Sequence, residues 1–236
     1  MQFKTLLTLG RVSNLPTVWM NAVAATALTM ASSGTEFSVG QMLAVLLGLS
    51  CLYAGGMSFN DYCDRHWDSH HQPFRPIPSG KASVRSVLII SLALFFAGLV
   101  FLAQSAASFA AAIGLLSLII AYDILHKQFA SSVFLMAATR FGVYIVAAFA
   151  ISPSPPVSIF VLGGVQATYT LLVTVVARFE NRLEAGFRFP LIPWMIAGMG
   201  IVDALALSWL LSPQWLIAGV VATLATRFAQ CYVRGD

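Results

Sequence analysis

This sequence predicts an all-α, polytopic membrane protein of about eight transmembrane helices, in two four-helix halves around a central polar cavity. Three observations predict it. Hydrophobic residues make up 58% of the 236-residue chain and charged residues 9%, against about 25% charged in a soluble domain. Eight apolar stretches each approach the roughly 20 residues that a bilayer crossing needs. The basic residues then gather on one side of those stretches.

Taken in order, the stretches run 15–32, 38–59, 84–104, 106–123, 131–151, 156–177, 189–211 and 213–232, all within one domain spanning 1–236. The short links Ser152-Pro153-Ser154-Pro155-Pro156 and Ser212-Pro213 are turn signals. One long polar segment, about 60–83, separates the second stretch from the third. The first apolar run is long and no small-residue cleavage site follows it, so no cleaved leader is expected. Cys51, Cys63 and Cys231 are odd in number and lack metal spacing, which argues against a disulfide framework or a zinc site.

An even number of spans puts both termini on one side. Lys4, Arg11, Arg65, Arg75, Lys81, Arg85, Lys127, Arg178, Arg182, Arg188 and Arg234 then share that side, and the other side carries Glu36. Basic residues mark the cytoplasmic face of a membrane protein, so the termini and the polar loops are expected in the cytoplasm. The net charge of +4 reflects this orientation and calls for no nucleic-acid partner. The bilayer itself, of a cell inner membrane, is the expected partner surface. Arg227, near a span end, can snorkel to the interface. Arg140 lies too deep for that and asks for a polar cavity or a partner. Asp203, inside the seventh stretch, raises the same question from the acidic side.

Chemistry concentrates where the second stretch ends. Asp61, Asp64 and Asp68 are a third of the chain's nine acidic residues. At about 100° per residue, Asn60, Asp61, Asp64 and Asp68 fall within an arc of about 100° on a helix. Carboxylates crowded on one face repel each other and ask for a cation. Mg²⁺ suits them, since it is usually held by one or two carboxylates plus substrate phosphate oxygens. Four helices later, Glu180 and Glu184 stand i,i+4 at the end of the sixth stretch, which suggests an internal repeat. A surface pair between Glu184 and Arg188 would explain the second glutamate equally well. His66, His70 and His71 lack a fixed ligand set and read as a solvated loop.

These residues resemble a known family. Asn60-Asp61-x-x-Asp64-x-x-x-Asp68 is similar to the first aspartate-rich motif, NDxxDxxxD, of the UbiA superfamily of intramembrane prenyltransferases. Arg75-Pro76-Ile77-Pro78-Ser79-Gly80-Lys81 resembles the RPxPSG segment that follows it, and Arg11 to Thr17 with Asn21 resembles the approach to the first helix. Arg140 and Tyr144 resemble an Arg and a Tyr on the family's fifth helix. The resemblance covers about residues 5–205. It implies a bundle open sideways to lipid, in which a polyprenyl group moves from its diphosphate to a small, often aromatic, acceptor. It implies Mg²⁺ bound by Asp61, Asp64, Asp68, Glu180 and Glu184. It implies catalytic roles for Asp61, Asp64, Arg140 and Lys127. It implies diphosphate or acceptor contacts for Asn21, Asn60, Arg65, Arg75, Lys81, Tyr144 and Arg178.

Two departures stand out. The family's second motif commonly reads DxxxD, whereas this chain has glutamates. The family's Tyr-x-x-x-Lys pair becomes Tyr122 followed by His126, with Lys127 one place on, which turns the lysine off the tyrosine's face. Ala177-Arg178-Phe179-Glu180 resembles the ARxE motif of a subgroup of short UbiA-like proteins that includes EboC-like ones. The altered half leaves a second reading open, a non-catalytic protein that binds or carries a prenylated or aromatic metabolite. An ion-coupled transporter would explain Arg140 and Asp203 but has no need of a diphosphate-facing RPxPSG loop.

Overall fold

A computed structural model describes residues 1–180 and 189–233; Glu184, proposed above as a metal ligand, lies outside the described residues. The described chain is helical throughout its apolar stretches: α1 (Phe3–Leu9), α2 (Leu15–Ser33), α3 (Val39–His71), α4 (Val84–Leu102), α5 (Ala106–Leu125), α6 (Ser132–Ile151), α7 (Val157–Glu180), α8 (Leu191–Leu210) and α9 (Trp215–Gln230). A short 3-10 turn, Val12–Asn14, joins α1 to α2. The starts follow from local chemistry. Ser38, Ser83 and Ser105 each accept a hydrogen bond from the backbone N–H three residues on, at Gln41, Ser86 and Ser108. Helix α2 stops at Gly34, whose φ of 66° suits a residue without a Cβ.

Six of the helices, α3 to α8, are long and apolar enough to cross a membrane. The other two predicted spans differ for visible reasons. Helix α9 has 16 residues. Helix α2 is the polar axis of the bundle, packed against α3, α6, α8 and α9. It buries Thr17, Asn21, Thr26 and Thr29 beside Ala22, Ala24 and Ala25. Large apolar side chains such as Phe96, Phe134, Leu205, Trp209 and Ile217 point outward, as a lipid-facing surface requires. The protein is an integral, multi-pass membrane protein.

Helices α3 and α4 pack closely because glycines line their contact. A Cβ on Gly48 would sit 2.6 Å from Leu102 Cγ, and one on Gly98 would sit 2.7 Å from Leu52 Cδ2. Small residues of this kind let membrane helices approach.

The polar segment after the second span is a loop in its second half and helical in its first, as the shared face of Asn60, Asp61, Asp64 and Asp68 requires. Its first half continues α3 to His71. The polar extension carries Asn60, Asp61, Asp64 and Asp68 as one buried stripe. His70 and His71 close that helix by bonding through Nδ1 to the backbone oxygens of His66 and Trp67, at 3.0 and 2.9 Å. They are solvent-exposed as expected, but on a helix end and not in a loop.

Candidate active site

The stripe on α3 is built against the turn that follows it. Pro76, Pro78 and Gly80 (φ 72°) fold the chain back, fixed by Ser79 N–H to Arg75 O and Ala82 N–H to Pro76 O, both 3.0 Å. This places Arg75 on the acids. Its Nη1 donates to Asp61 Oδ1 at 2.6 Å, and its Nε lies 3.7 Å from Asp68 Oδ2. Gln72 Oε1 holds the same Nε at 2.6 Å. Arg11 Nη2 stands 3.8 Å from the same Asp61 oxygen. It does so from a left-handed backbone (φ 41°), the single non-glycine residue with positive φ among those described. Strain of this kind costs on the order of 1 kcal/mol or more and collects at functional sites.

Asp64 receives the α5–α6 turn. His126 Nε2 is 3.0 Å from Asp64 Oδ2, and Lys127 Nζ is 3.4 Å from the same oxygen. The His126 ring stacks on Tyr122 at 5.0 Å between centroids, while Lys127 Nζ sits 3.7 Å over the Trp67 ring. The shift from i,i+4 to i,i+5 thus sends histidine to the tyrosine face, yet both side chains still reach one carboxylate. His126 was not among the residues that the sequence singled out for the site. Its signal was its place in the altered Tyr-x-x-x-Lys pattern.

Below this rim lies a cavity of about 310 Å³ lined by Arg11, Asn60, Asp64, Arg75, His126, Lys127 and Arg140, with Thr170, Thr174 and Ala177 from α7 opposite. An apolar chamber of about 70 Å³ adjoins it, walled by Val18, Leu49, Leu52, Leu115, Ile119 and Val143. Tyr53, Met57, Tyr122, Met136 and Arg140 line both.

Deeper still, Arg140 finds its partner. Its Nη1 donates to Asn21 Oδ1 at 2.8 Å. Asn21 Nδ2 donates to Asp203 Oδ2 at 2.6 Å and to the Tyr144 hydroxyl at 2.8 Å. The Tyr144 hydroxyl in turn donates to Asp203 Oδ1. Arg140 and Asp203 therefore answer each other through Asn21. Arg227 does not simply run to the interface: its guanidinium stands 4.7 Å over the Trp194 ring.

Other expected residues stand apart. Arg65 turns back onto its own helix, donating to Tyr62 O at 2.7 Å and lying 4.7 Å over the Tyr62 ring. Lys81 lines a separate surface pocket with Gln2, Lys4, Thr5 and Thr8. Arg178 Nη1 donates to Ala130 O at 2.8 Å, which draws it to the α5–α6 turn. Glu180 closes α7 one turn beyond Ala177, at the edge of the stripe that lines the cavity.

Among the described residues, no three acidic, His or Cys groups come together closely enough to hold a metal ion by themselves. The donor set nevertheless suits a hard divalent cation that shares its coordination with a phosphate. Among the described residues both carboxylate oxygens of Asp68 are buried without a hydrogen-bond partner, and one of them has only the 3.7 Å ion pair to Arg75. Such oxygens are costly unless a donor or cation meets them.

Residues 18–233 match the model of the UbiA prenyltransferase family. The chain belongs to that family. Similar curated proteins include the digeranylgeranylglyceryl phosphate synthase of Methanothrix thermoacetophila, 57% identical over 19% of this chain and 16% of that protein. The synthase of Saccharolobus solfataricus is 32% identical over 42% of this chain and 34% of its own. The 4-hydroxybenzoate octaprenyltransferase of Polynucleobacter asymbioticus is 35% identical over 32% of this chain and 24% of its own. The aligned stretches thus span about a sixth to a third of these relatives' lengths. A UbiA homologue from Archaeoglobus fulgidus, solved with DMAPP and Mg²⁺, superposes with a TM-score of 0.64 at 17% identity, covering 93% of this chain and 86% of its own. The same homologue with GPP and Mg²⁺ gives 0.62 at 18% identity, covering 97% and 85%. At that identity the superpositions establish the shared UbiA fold.

Proposed function

We propose that this UbiA-family protein transfers a prenyl group from its diphosphate to a small acceptor within the membrane, in a Mg²⁺-dependent reaction. The observation that carries the proposal is the stacking of three layers: acidic stripe, cation-lined cavity and apolar chamber. A prenyl diphosphate has the same order of chemistry, with an anionic head and an apolar tail. Asp61, Asp64 and Asp68 on α3 would hold the metal, with Glu180 and Glu184 as the counterpart on the second half. Bound Mg²⁺ would supply the positive charge that stabilises the departing diphosphate.

The chain's own residues do the remainder. Arg11, Arg75 and Lys127 place fixed positive charge around the leaving oxygens, where it stabilises the charge that develops as the carbon–oxygen bond breaks. Arg140 marks the passage from the polar cavity to the apolar chamber. The chamber walls receive the tail and keep water from the allylic cation. The acceptor attacks the prenyl carbon, diphosphate leaves, and the acceptor's proton is lost. We place the basic end of the bundle in the cytoplasm of a cell inner membrane, as the positive-inside distribution favours. Arg65 and Lys81 receive no role in the chemistry, and Arg178 acts through the α5–α6 turn that carries His126 and Lys127.

The test is diphosphate release by the purified protein from geranyl diphosphate, with Mg²⁺ and a panel of aromatic acceptors. Release that requires Mg²⁺, an acceptor and Asp64 supports prenyl transfer. Mg²⁺-dependent binding of geranyl diphosphate without release overturns it in favour of a carrier.

A further inference from the structure

Asp123, near the end of α5, belongs to neither acidic motif, yet it has the geometry of a recognition group. It is 3% exposed. Asn60 Nδ2 donates to its Oδ1 at 3.2 Å, while its Oδ2 is buried with no hydrogen-bond partner among the described residues. Asp123 lines the mostly apolar chamber, and none of the donors on the same walls, Tyr53, Tyr122, Thr139 and Arg140, bonds its Oδ2. That chamber shares Tyr122 and Arg140 with the cavity beneath the acidic stripe. Asn60, the residue before Asp61, therefore ties Asp123 to the stripe and fixes which oxygen is left over.

A carboxylate accepts hydrogen bonds and, when ionised, donates none. An unmatched carboxylate oxygen against an apolar wall is costly, and a ligand that brings an O–H or N–H removes the cost. A prenyl tail has no such group, so the ligand that satisfies Asp123 is the acceptor. We propose that Asp123 is a specificity-determining residue that binds the hydroxyl or amine of the acceptor. This rests on the prenyl-transfer reading above. A site built to hydrogen-bond a substrate hydroxyl rejects the analogue that lacks it, because its own polar atom is then left unpaired.

Binding to the full chain in lipid nanodiscs tests this, with Mg²⁺ and geranyl thiodiphosphate, an unreactive donor analogue. The probes are 2-naphthol and 2-methoxynaphthalene, which differ in the one donor, with uptake by empty nanodiscs subtracted. Wild type is expected to bind 2-naphthol about tenfold more tightly, the scale of one hydrogen bond. Asp123→Ala should bring the two within about twofold, and Asp123→Asn, which keeps a carbonyl acceptor, should retain part of the preference. Should Asp123→Ala fail to fold, Asp123→Ser replaces it. Equal binding of the probes by wild type, or an undiminished preference in Asp123→Ala or Asp123→Ser, overturns the proposal. Binding of the thiodiphosphate is titrated separately: its loss defeats the prenyl-transfer reading, whereas equal probe binding with the thiodiphosphate in place defeats only the role of Asp123.

Discussion

The rim of the cavity and the buried Asn21–Tyr144–Asp203 network use the same kinds of group to opposite ends. At the rim, Asp61 and Asp64 meet Arg75, Arg11, His126 and Lys127 in pairs that border a cavity. In the network, Asn21, Tyr144 and Asp203 are buried and bonded to one another, with Arg140 tied to Asn21. The rim keeps polar atoms in surplus, since among the described residues neither oxygen of Asp68 accepts a hydrogen bond and only the longer ion pair to Arg75 meets it. The network spends its hydrogen bonds on joining α2, α6 and α8. Charge beside a cavity is available to a ligand; charge locked among helices fixes their packing. Substitutions at the two places should therefore read out differently.

The largest effect is expected at the rim. Asp64→Ala should lower Mg²⁺-dependent diphosphate release by about 10²–10³-fold, the range for removing one well-placed electrostatic group. Its unfolding midpoint should stay near that of wild type, because His126 and Lys127 rather than a packed core lose their partner. Next comes Asp203→Ala. It removes the acceptor of the Asn21 and Tyr144 bonds and should cost about 2–4 kcal/mol of stability, measured by unfolding in mixed micelles. A stable Asp203→Ala protein that has lost activity alone would break the contrast between the two regions. His126→Ala should lower diphosphate release by about tenfold, the scale of a charged hydrogen bond. Lys127 still reaches Asp64, so release should not be abolished. The smallest effect is Tyr144→Phe, which deletes one hydroxyl from the network and should cost about 1 kcal/mol in the same unfolding assay.

Much of the rim was legible in the sequence because its parts lie close together along the chain. Asp61, Asp64 and Asp68 share a helical face by spacing alone, and Arg75 follows within one turn-forming segment. The apolar stretches were legible for the same reason, since hydropathy over about 20 residues is a local property. The extent of α3 was less so. The helical face of Asp61, Asp64 and Asp68 already carries that helix past the apolar stretch, whereas its continuation through His70 and His71 was not legible from the polar run around them. His126 stood out in the sequence only as a departure from a Tyr-x-x-x-Lys pattern, and Asp123 is ordinary in its own neighbourhood. His126 gains its meaning from Asp64, 62 residues away, and Asp123 from Asn60, 63 residues away. The partner of Asp203 was likewise beyond reach, since Asn21 lies 182 residues distant.

The sequence by itself determined that the chain is a multi-helix membrane protein with a UbiA-like acidic motif, because helix period, hydropathy and short motifs are written in consecutive residues. The tertiary structure decided which charges face the cavity and which are consumed in packing. Arg65 and Arg75 are both arginines beside the same aspartates, yet one folds onto Tyr62 and the other onto Asp61. Arg140 and Asp203 became one network only when α2 set Asn21 between them. Those outcomes depend on distances between helices, which no local pattern encodes.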